Sequence, residues 1–404
     1  GTALGATQLN ATASVAGTFV YTPAVGMVLS AGTQTLHADF TPSDATNYNA
    51  TSKDVQISVS KATPAITWAN PAGISYGTAL GATQLNASAS TTGTFLYAPG
   101  VGAVLDAGAQ TLHVDFAPSD TSNYSSASRD VQIGVDTITP TISWANPAGI
   151  SYGTALGATQ LNATASVAGT FTYTPAAGAV LNAGTQTLYV DFSPADALHY
   201  NPTSKDVPIV VSKVTPTIAW ANPAGISYGT PLSTTQLNAT ASVAGTFVYT
   251  PAAGAALNAG IHTLHVDFTP SDAVNYNSTS KDVQINVSKV TPTITWANPS
   301  EINYGTALSA TQLNATASVA GTFAYTPAAG TVLNTGAQTL RVDFTPTDTV
   351  NYALASKSVQ ITVSQATPTI TWANPAGIVY GMALGATQLN ADSIVPGTFA
   401  YTPA

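Results

Sequence analysis

Apolar and polar residues alternate along most of this chain, in short runs that end at Gly, Pro or Asn. In the run QTLHVDF, Leu112, Val114 and Phe116 share one face, and His113 and Asp115 share the other. A period of two places successive side chains on opposite faces of a β-strand, and turn residues mark where each strand ends. The pattern therefore predicts half-buried strands.

Six runs of this kind lie between residues 62 and 137: TPAITW, ISYGTAL, QLNASAS, GTFLYAP, QTLHVDF and RDVQIGV. In QLNASAS we expect Leu85, Ala87 and Ala89 to face inward. No run keeps a 3.6-residue apolar period long enough to predict a helix. Six or seven short strands with turns between them predict a β-sandwich.

A period of 76 residues organises these strands into tandem copies. The tryptophan of the first run recurs at Trp68, Trp144, Trp220, Trp296 and Trp372. The phenylalanine of DF recurs at Phe40, Phe116, Phe192, Phe268 and Phe344. The tyrosine of the loop that follows recurs at Tyr48, Tyr124, Tyr200, Tyr276 and Tyr352. A fixed period predicts repeats of one unit, in which we expect these aromatic side chains to be structural.

The period predicts four complete repeats and two partial ones. The complete repeats are expected at residues 62–137, 138–213, 214–289 and 290–365. Residues 1–61 are predicted to be a partial repeat that lacks its first strands, and residues 366–404 a partial repeat with only its first strands. We therefore expect this chain to be a window on a longer array.

The linkers between copies are short. Four residues, such as those from Lys213 to Pro216, separate the last strand of one copy from the first of the next. Proline restricts its own φ angle and favours an extended conformation in the residue before it. Because there is no Gly/Ser-rich tether, neighbouring repeats are expected to move little relative to each other.

The amino-acid composition limits the classes of binding partner that we expect. Charged residues make up 7% of the chain and the formal net charge is −9. Nucleic acids and anionic membranes bind clustered Lys and Arg, so neither is an expected partner. No run approaches the roughly 20 apolar residues of a membrane span, so no membrane insertion is expected in this segment. The chain has no cysteine, which excludes disulfides and thiolate chemistry.

The segment from Gly245 to Lys289 reads GTFVYTPAAGAALNAGIHTLHVDFTPSDAVNYNSTSKDVQINVSK. Its GTFxYTP, LNAG, TLxVDFTPSD and DVQIxVSK motifs, or close variants of them, occur in essentially every copy. In this combination the chain resembles the bacterial immunoglobulin-like repeats of large cell-surface and adhesin-type proteins. The resemblance implies an all-β tandem array of immunoglobulin-like sandwich domains in an extracellular or cell-surface location. Domains of that group serve as spacers, stalks or adhesive tips, and no fixed ligand site carries over.

Two aspartates recur in and just after the long strand, first as Asp39 and Asp44, and the first copy has Asn47 close to them in sequence. Clustered oxygen ligands suit Ca²⁺, which makes these residues and their repeat equivalents a calcium candidate. In the structural interpretation, Asp44 accepts backbone hydrogen bonds in an Asx-type turn and Tyr48 packs like the tyrosine corner of immunoglobulin folds. We favour this interpretation because the spacing of a calcium loop and its glutamate ligand are missing, so no cofactor is expected.

Other polar positions give no catalytic pattern. His37, His113 and His265 become Tyr189 and Arg341 in sibling copies, and His199 and His262 each stand alone at their positions. We find no Ser–His–Asp arrangement, metal motif or phosphate loop, and we expect no enzymatic activity.

Two further positions carry structural expectations. A cation recurs at Lys53, Arg129, Lys205, Lys281 and Lys357. We predict that it pairs with the aspartate of DF on the adjacent strand. Pro208 replaces an outward Gln of the last strand, which predicts an edge or a bulge at that point because proline lacks a ladder donor.

The sequence favours a structural spacer or stalk segment whose partners are the neighbouring repeats of the same chain. One alternative is a subunit of a self-assembling filament, with homotypic association between chains through exposed edge strands. Another is a set of adhesive repeats that bind glycan or calcium, with Tyr76 or Trp68 as the aromatic contacts for glycan.

Overall fold

The computed structural model describes residues 1–403, and Ala404, the last position of the predicted partial repeat 366–404, lies outside the described residues. The regular elements of residues 1–403 are all β-strands. Two compact units are present, Gly1–Ser212 and the residues from Lys213 onward. Within the described part of the chain, no helix has the length and apolar character needed to cross a membrane.

The strands follow the 76-residue period. Residues 1–61 contain β1 (Gly17–Thr22), β2 (Gly32–Pro42) and β3 (Thr51–Val59). The second copy contains β4 (Ile66–Thr67), β5 (Ile74–Ser75), β6 (Ser88–Ala89), β7 (Gly93–Ala98), β8 (Gly108–Pro118) and β9 (Ala127–Asp136). The third contains β10 (Ile142–Ser143), β11 (Ile150–Ser151), β12 (Thr164–Ala165), β13 (Gly169–Thr174), β14 (Gly184–Pro194) and β15 (Thr203–Ser212).

The later copies repeat the same six strands. The fourth contains β16 (Ile218–Ala219), β17 (Ile226–Ser227), β18 (Thr240–Ala241), β19 (Gly245–Thr250), β20 (Gly260–Pro270) and β21 (Thr279–Ser288). The fifth contains β22 (Ile294–Thr295), β23 (Ile302–Asn303), β24 (Thr316–Ala317), β25 (Gly321–Thr326), β26 (Gly336–Pro346) and β27 (Ala355–Ser364). The last described residues contain β28 (Ile370–Thr371) and β29 (Asp392–Ser393).

The second copy shows how the two sheets are built. A four-stranded sheet has the order β5-β9-β8-β7, and β4 and β6 form a separate two-stranded sheet. β5 runs parallel to β9, and the other neighbours are antiparallel. The third, fourth and fifth copies have the same strand order. The predicted fold class, an all-β tandem array of immunoglobulin-like sandwiches, is confirmed.

In the second copy, the long hairpin of β8 and β9 forms the centre of the core. Leu112 lies opposite Val131 across the hairpin, and both side chains are buried. Side chains alternate along a strand, so Val114 joins the same inner face. Trp68 packs onto this face from the segment that follows β4. Each complete copy has an equivalent core made of its own residues.

Trp68 is buried with its polar group satisfied. Only 2% of the residue is exposed, and its Nε1 donates a hydrogen bond to the Gln84 carbonyl oxygen at 3.0 Å. The indole meets the Tyr97 ring edge to face, with centroids 5.3 Å apart. A bonded N–H lets a large aromatic side chain be buried without an unsatisfied donor. The same bond and ring contact occur at Trp144, Trp220 and Trp296.

Close packing around Phe116 explains the glycine that begins the GTFxY segment. A Cβ atom at Gly93 would overlap the Phe116 ring and the Ala117 carbonyl oxygen. Phe95 lies against the same ring, with centroids 4.8 Å apart. The equivalent phenylalanines are also buried, at Phe40, Phe192, Phe268 and Phe344. Glycine at this position therefore lets the edge strand approach the hairpin.

The run QLNASAS differs from the prediction in its secondary structure. The N–H of Leu85 donates to the Gly81 carbonyl oxygen at 2.9 Å, and the Gly81 N–H donates to Gln84 Oε1 at 3.1 Å. These local bonds form a turn, because a side chain that bonds the backbone competes with strand pairing. Only Ser88–Ala89 remains as a strand. The predicted inward positions are still less exposed than the residues between them.

Pro208 lies in β15, which is an interior strand that is open on one side at this point. β15 pairs with β14 along its length, whereas β11 pairs only with Val211 and Ser212. In the second copy the equivalent residue, Gln132, uses its N–H to bond Asn70 Oδ1 at 3.2 Å. Proline therefore replaces a donor that serves a loop side chain and not the strand ladder. The predicted edge is local.

Candidate functional site: the joint between repeats

In the second, third and fifth copies, a short loop between the last two strands lies at the joint with the preceding copy. In the second copy, Asp120 Oδ1 accepts the N–H groups of Ser122 and Asn123, both at 3.1 Å. Asp120 Oδ2 accepts a hydrogen bond from Asn123 Nδ2 at 2.8 Å. These bonds favour the ionised carboxylate, and the one from the Asn123 side chain contributes most to lowering the pKa of Asp120. The Asp-x-x-Asn sequence thus holds the loop in shape.

Asn123 also bonds the preceding copy. Its Oδ1 accepts the N–H of Ala31, which precedes β2, at 2.7 Å. An amide side chain has a donor end and an acceptor end. Because Asp120 holds the donor end, the acceptor end is directed at Ala31. One side chain therefore ties the second copy to the first.

A joint in the other compact unit has the same chemistry. Asn351 Oδ1 accepts the N–H of Ala259 at 2.8 Å. Asn351 Nδ2 bonds Asp348 Oδ2 at 2.8 Å and Asn258 Oδ1 at 3.4 Å. The bridge thus follows the repeat sequence and is not peculiar to one pair of copies.

The linker residues are bonded to the copy that follows them. The N–H of Ala62 donates to the Asn123 carbonyl oxygen at 2.9 Å, and the Ala62 carbonyl oxygen accepts the N–H of Ser125 at 3.0 Å. Lys61 Nζ donates to the Thr121 carbonyl oxygen at 2.7 Å. Equivalent bonds are made by Lys213, Val214, Lys289 and Val290. The linker is therefore held in place and is not a free tether.

Tyrosine rings meet across two joints, the one between the second and third copies and the one between the fourth and fifth. Tyr76 contacts Tyr200 of the next copy with ring centroids 5.8 Å apart and planes at 80°. Tyr228 and Tyr352 are arranged alike, with centroids 5.5 Å apart and planes at 79°. Edge-to-face pairs of this kind contribute roughly 0.5–1.5 kcal/mol beyond the burial of their area. Tyr200 and Tyr352, predicted as tyrosine corners, thus place their rings against the preceding copy.

The calcium candidates engage protein partners. Asp44 Oδ1 accepts the N–H of Asn47 at 3.2 Å, and Asp44 Oδ2 accepts Asn47 Nδ2 at 2.8 Å. Asp39 Oδ1 lies 3.1 Å from His37 Nε2 on the outer face of its sheet. Within residues 1–403, no three His, Asp or Glu side chains are grouped so that they could hold a metal ion. The Asp44–Asn47 pair has the geometry of an Asx turn.

The recurrent cation has a different partner from the one predicted. Arg129 donates from Nε to the Trp68 carbonyl oxygen and from Nη1 to the Ile66 carbonyl oxygen, both at 3.1 Å. Because side chains alternate along β9, Arg129 points to the same side as Val131, whereas Asp115 points to the opposite face of the sheet. The predicted pairing with the DF aspartate is therefore wrong. Lysines at this position also donate to a carbonyl oxygen of the first strand, at Lys205, Lys281 and Lys357.

The outward histidines each contact two carboxylates. His113 Nδ1 lies 2.6 Å from Asp130 Oδ1, and His113 Nε2 lies 3.2 Å from Asp115 Oδ1. The hydrogen bond with Asp130, followed by the one with Asp115, raises the pKa of His113. His37 and His265 are engaged in the same way. Both ring nitrogens of these histidines therefore lie within hydrogen-bond distance of a carboxylate.

His199 is a joint residue that its solitary position in the sequence does not reveal, although its interval to Asp106 does. It stands where Asn123 and Asn351 stand in their copies, and its Nε2 lies 3.2 Å from Asp106 Oδ1 of the preceding copy. Asp106 and His199 are 93 residues apart, the same interval that separates the bonded pair Asn258 and Asn351. The Tyr76 ring, a glycan candidate, stacks on His199, and Trp68, the other candidate, is buried.

No protein-family model matches the chain, and no curated protein matches it. Among solved structures it is similar to Drosophila N-cadherin EC1-4, with 11% identity over 74% of this chain and 100% of that chain, at a TM-score of 0.20. It is also similar to Sidekick-1 immunoglobulin domains 1-5 (10% identity, 82% and 86% covered, TM-score 0.22) and to the ICAM-5 D1-D4 ectodomain fragment (12%, 86% and 100%, 0.23). These TM-scores are low, and the sandwich architecture rests on the strand order of the copies themselves.

Proposed function

We propose that this chain is a structural spacer or stalk segment of a long extracellular or cell-surface bacterial protein of the adhesin type. The observation that supports it is the joint, where linker residues bond the following copy and a side chain reaches back to the preceding one. Such bonds restrict movement between neighbouring copies within a compact unit, and a spacer needs that restriction. The bacterial origin and the location rest on the resemblance of the repeat motifs.

The joint also supports the proposed boundaries of the repeats. Ala62 bonds residues 123 and 125, so it belongs with the strands that follow it. Val290 makes the corresponding bonds to residues 351 and 353. We place the complete repeats at residues 62–137, 138–213, 214–289 and 290–365.

Mechanical unfolding tests the proposal. Pulling the chain by atomic-force microscopy should give successive ruptures of about equal size, one for each complete repeat. Each rupture releases at most roughly 250–270 Å of chain, the extended length of one repeat. A Trp68→Ala variant should weaken one rupture and leave the others unchanged. One cooperative rupture of the whole chain would contradict independent repeats on restricted joints.

A filament subunit is a second candidate, favoured by the exposed edge of the larger sheet. β7 is an edge strand, and its outward Leu96 is 71% exposed. Edge strands present unpaired backbone groups that can add a strand from another chain. Light scattering should then show association that rises with concentration and weakens in a Leu96→Lys variant. A monomer at every concentration would exclude assembly through these repeats.

A further inference from the structure

At the joint of His199 the two facing residues are titratable, whereas at the joints of Asn123 and Asn351 they are not. In the 76-residue register, the position of His199 is asparagine in the other copies, at Asn47, Asn123, Asn275 and Asn351. The position of Asp106 is serine or asparagine in the other copies, at Ser30, Asn182, Asn258 and Asn334. The one histidine at the first position, His199, therefore meets the one aspartate at the second, Asp106.

His199 lies between two carboxylates that come from different copies. Its Nδ1 is 2.7 Å from Asp196 Oδ2 in its own loop, and its Nε2 is 3.2 Å from Asp106 Oδ1 of the preceding copy. Its ring stacks on Tyr76 of that copy, with centroids 3.8 Å apart and planes at 18°. Tyr200 meets Tyr76 from the side. The His199 side chain is only 12% exposed.

Protonation and closure of this joint are coupled by the geometry. An imidazolium ion has two N–H donors and can donate to both carboxylates at once, whereas neutral imidazole has one donor and one lone pair. In the closed joint, a neutral His199 therefore directs a lone pair at either Asp196 or Asp106. Separation of the two copies removes Asp106, so a neutral His199 can then donate from Nδ1 to Asp196 without directing its lone pair at a second carboxylate. The asparagine joints lack this dependence because an amide does not titrate.

We propose that the joint between the second and third copies is proton-sensitive, held closed by a doubly bonded His199 imidazolium and loosened when the imidazole loses its proton. Within Gly1–Ser212, both joints would then be closed in acid, and the one at His199 would loosen at higher pH. The joint would respond in this way in a spacer or in a filament subunit, so the test does not depend on the proposed function.

The direction of the pH dependence follows from the pKa of His199. The hydrogen bond with Asp196 raises this pKa most, burial lowers it, and the hydrogen bond with Asp106 raises it further. Closure of the joint adds the hydrogen bond with Asp106, which raises the pKa, and burial, which lowers it, so protonation favours the closed joint where the bond outweighs the burial. The stabilisation is then complete below the pKa of the open joint. This stabilisation is lost as the pH rises through the raised value. Asp196 remains beside His199 when the joint opens, so the contribution of Asp106 is the one that reports closure.

Nuclear magnetic resonance measures that contribution in the full chain. With ¹³C-labelled histidine, the five imidazoles give five titration curves, and a His199→Asn variant assigns the curve of His199. Asp106→Asn should lower the pKa of His199 and leave that of His113 unchanged. An unaltered His199 pKa in this variant would overturn the coupling between the copies.

Fluorescence energy transfer measures the joint itself. The chain has no native cysteine, so exposed sites can be labelled in pairs. Leu96→Cys with Val210→Cys spans the His199 joint, and Val20→Cys with Leu96→Cys spans the Asn123 joint as a matched control. Between about pH 5 and about pH 8, the distance distribution should broaden for the first pair only.

A double variant completes the design. His199→Asn with Asp106→Asn recreates the amide pair of Asn258 and Asn351, and it should abolish the pH dependence while the joint stays closed. Broadening at both joints, at neither, or in the double variant would overturn the proposal.

Discussion

The second copy and the last described residues contain the same tryptophan segment but bury it differently. Trp68 is 2% exposed, whereas Trp372 is 48% exposed. Both donate from Nε1 to the carbonyl oxygen of a glutamine sixteen residues on, Gln84 at 3.0 Å and Gln388 at 2.8 Å. Both meet the tyrosine of GTFxY with ring centroids 5.3 Å apart. The local contacts are thus equal, and the difference in burial comes from the hairpin of β8 and β9, which covers Trp68.

The first copy shows the reverse case, a hairpin without a tryptophan segment. Leu36 pairs with Val55 as Leu112 pairs with Val131, so the strand register is the same. Val55 is nevertheless 49% exposed, whereas Val131 is 4% exposed. Strand pairing and the tryptophan contacts therefore form within each half of a repeat, and the dry core forms only where the two halves meet.

Removing the indole should have the largest effect. Trp68→Ala should lower the free energy of unfolding of its repeat by about 3–5 kcal/mol, because it deletes a fully buried aromatic side chain. Trp372→Ala should have a much smaller effect, because half of that side chain is already in water. Hydrogen exchange followed by mass spectrometry resolves the loss to residues 62–137. Equal losses in the two variants would show that the hairpin does not supply the stabilisation.

Crowding the contact between β7 and β8 should cause the second-largest loss of stability. Gly93→Ala places a methyl group against the Phe116 ring and should destabilise the repeat by about 1–3 kcal/mol. Gly134→Ser is the matched control, because no atom lies within 4 Å of a Cβ at that position and the other copies carry a side chain there. Thermal melting followed by circular dichroism compares the two. A neutral Gly93→Ala variant would contradict the packing described.

Removing one hydroxyl should have a smaller effect. The half-buried Ala87 N–H donates to Tyr97 Oη at 2.9 Å, and Tyr97→Phe should cost about 1 kcal/mol by leaving this donor without its partner. In the first copy the equivalent bond from Ala11 to Tyr21 is exposed, so water can replace the hydroxyl in Tyr21→Phe. Chemical denaturation monitored by repeat-specific hydrogen exchange should rank Tyr97→Phe above Tyr21→Phe. The opposite order would rule out burial as the cause.

Replacing Asp120 should have the smallest effect, a small change in the melting temperature at acid pH. The pKa of Asp120 is lowered below 3.8 by its hydrogen bonds, the one from Asn123 first. The stabilisation is therefore complete above that ordinary value and is lost as the pH falls through the lowered one. Asp120→Asn should reduce the acid-induced fall of the melting temperature slightly, since the carboxylate is exposed and screened. Asp206→Asn, on an outer sheet face, is the control, and an equal change there would exclude a specific role for the loop.

The faces of the strands could be predicted from the sequence. Leu112, Val114 and Phe116 are buried as expected because alternation is a property of the extended backbone. The same rule, applied to β9, would have placed Arg129 on the side opposite Asp115 and excluded the ion pair that we expected. The turn from Gly81 to Gln84 could not be predicted from alternation. The run QLNASAS alternates in the same way whether its backbone is extended or is folded back by the bond from the Gly81 N–H to Gln84 Oε1.

The period and the face of each strand were determined by the sequence itself, because both depend on neighbours one or two residues apart and on exact repetition. Only the tertiary structure decided the burial of Trp68 and the bonds from Asn123 to Ala31 and from His199 to Asp106. These bonds join residues 92 or 93 positions apart in sequence. They form when one folded copy docks on another, and no local pattern of apolar and polar residues encodes which atoms then meet.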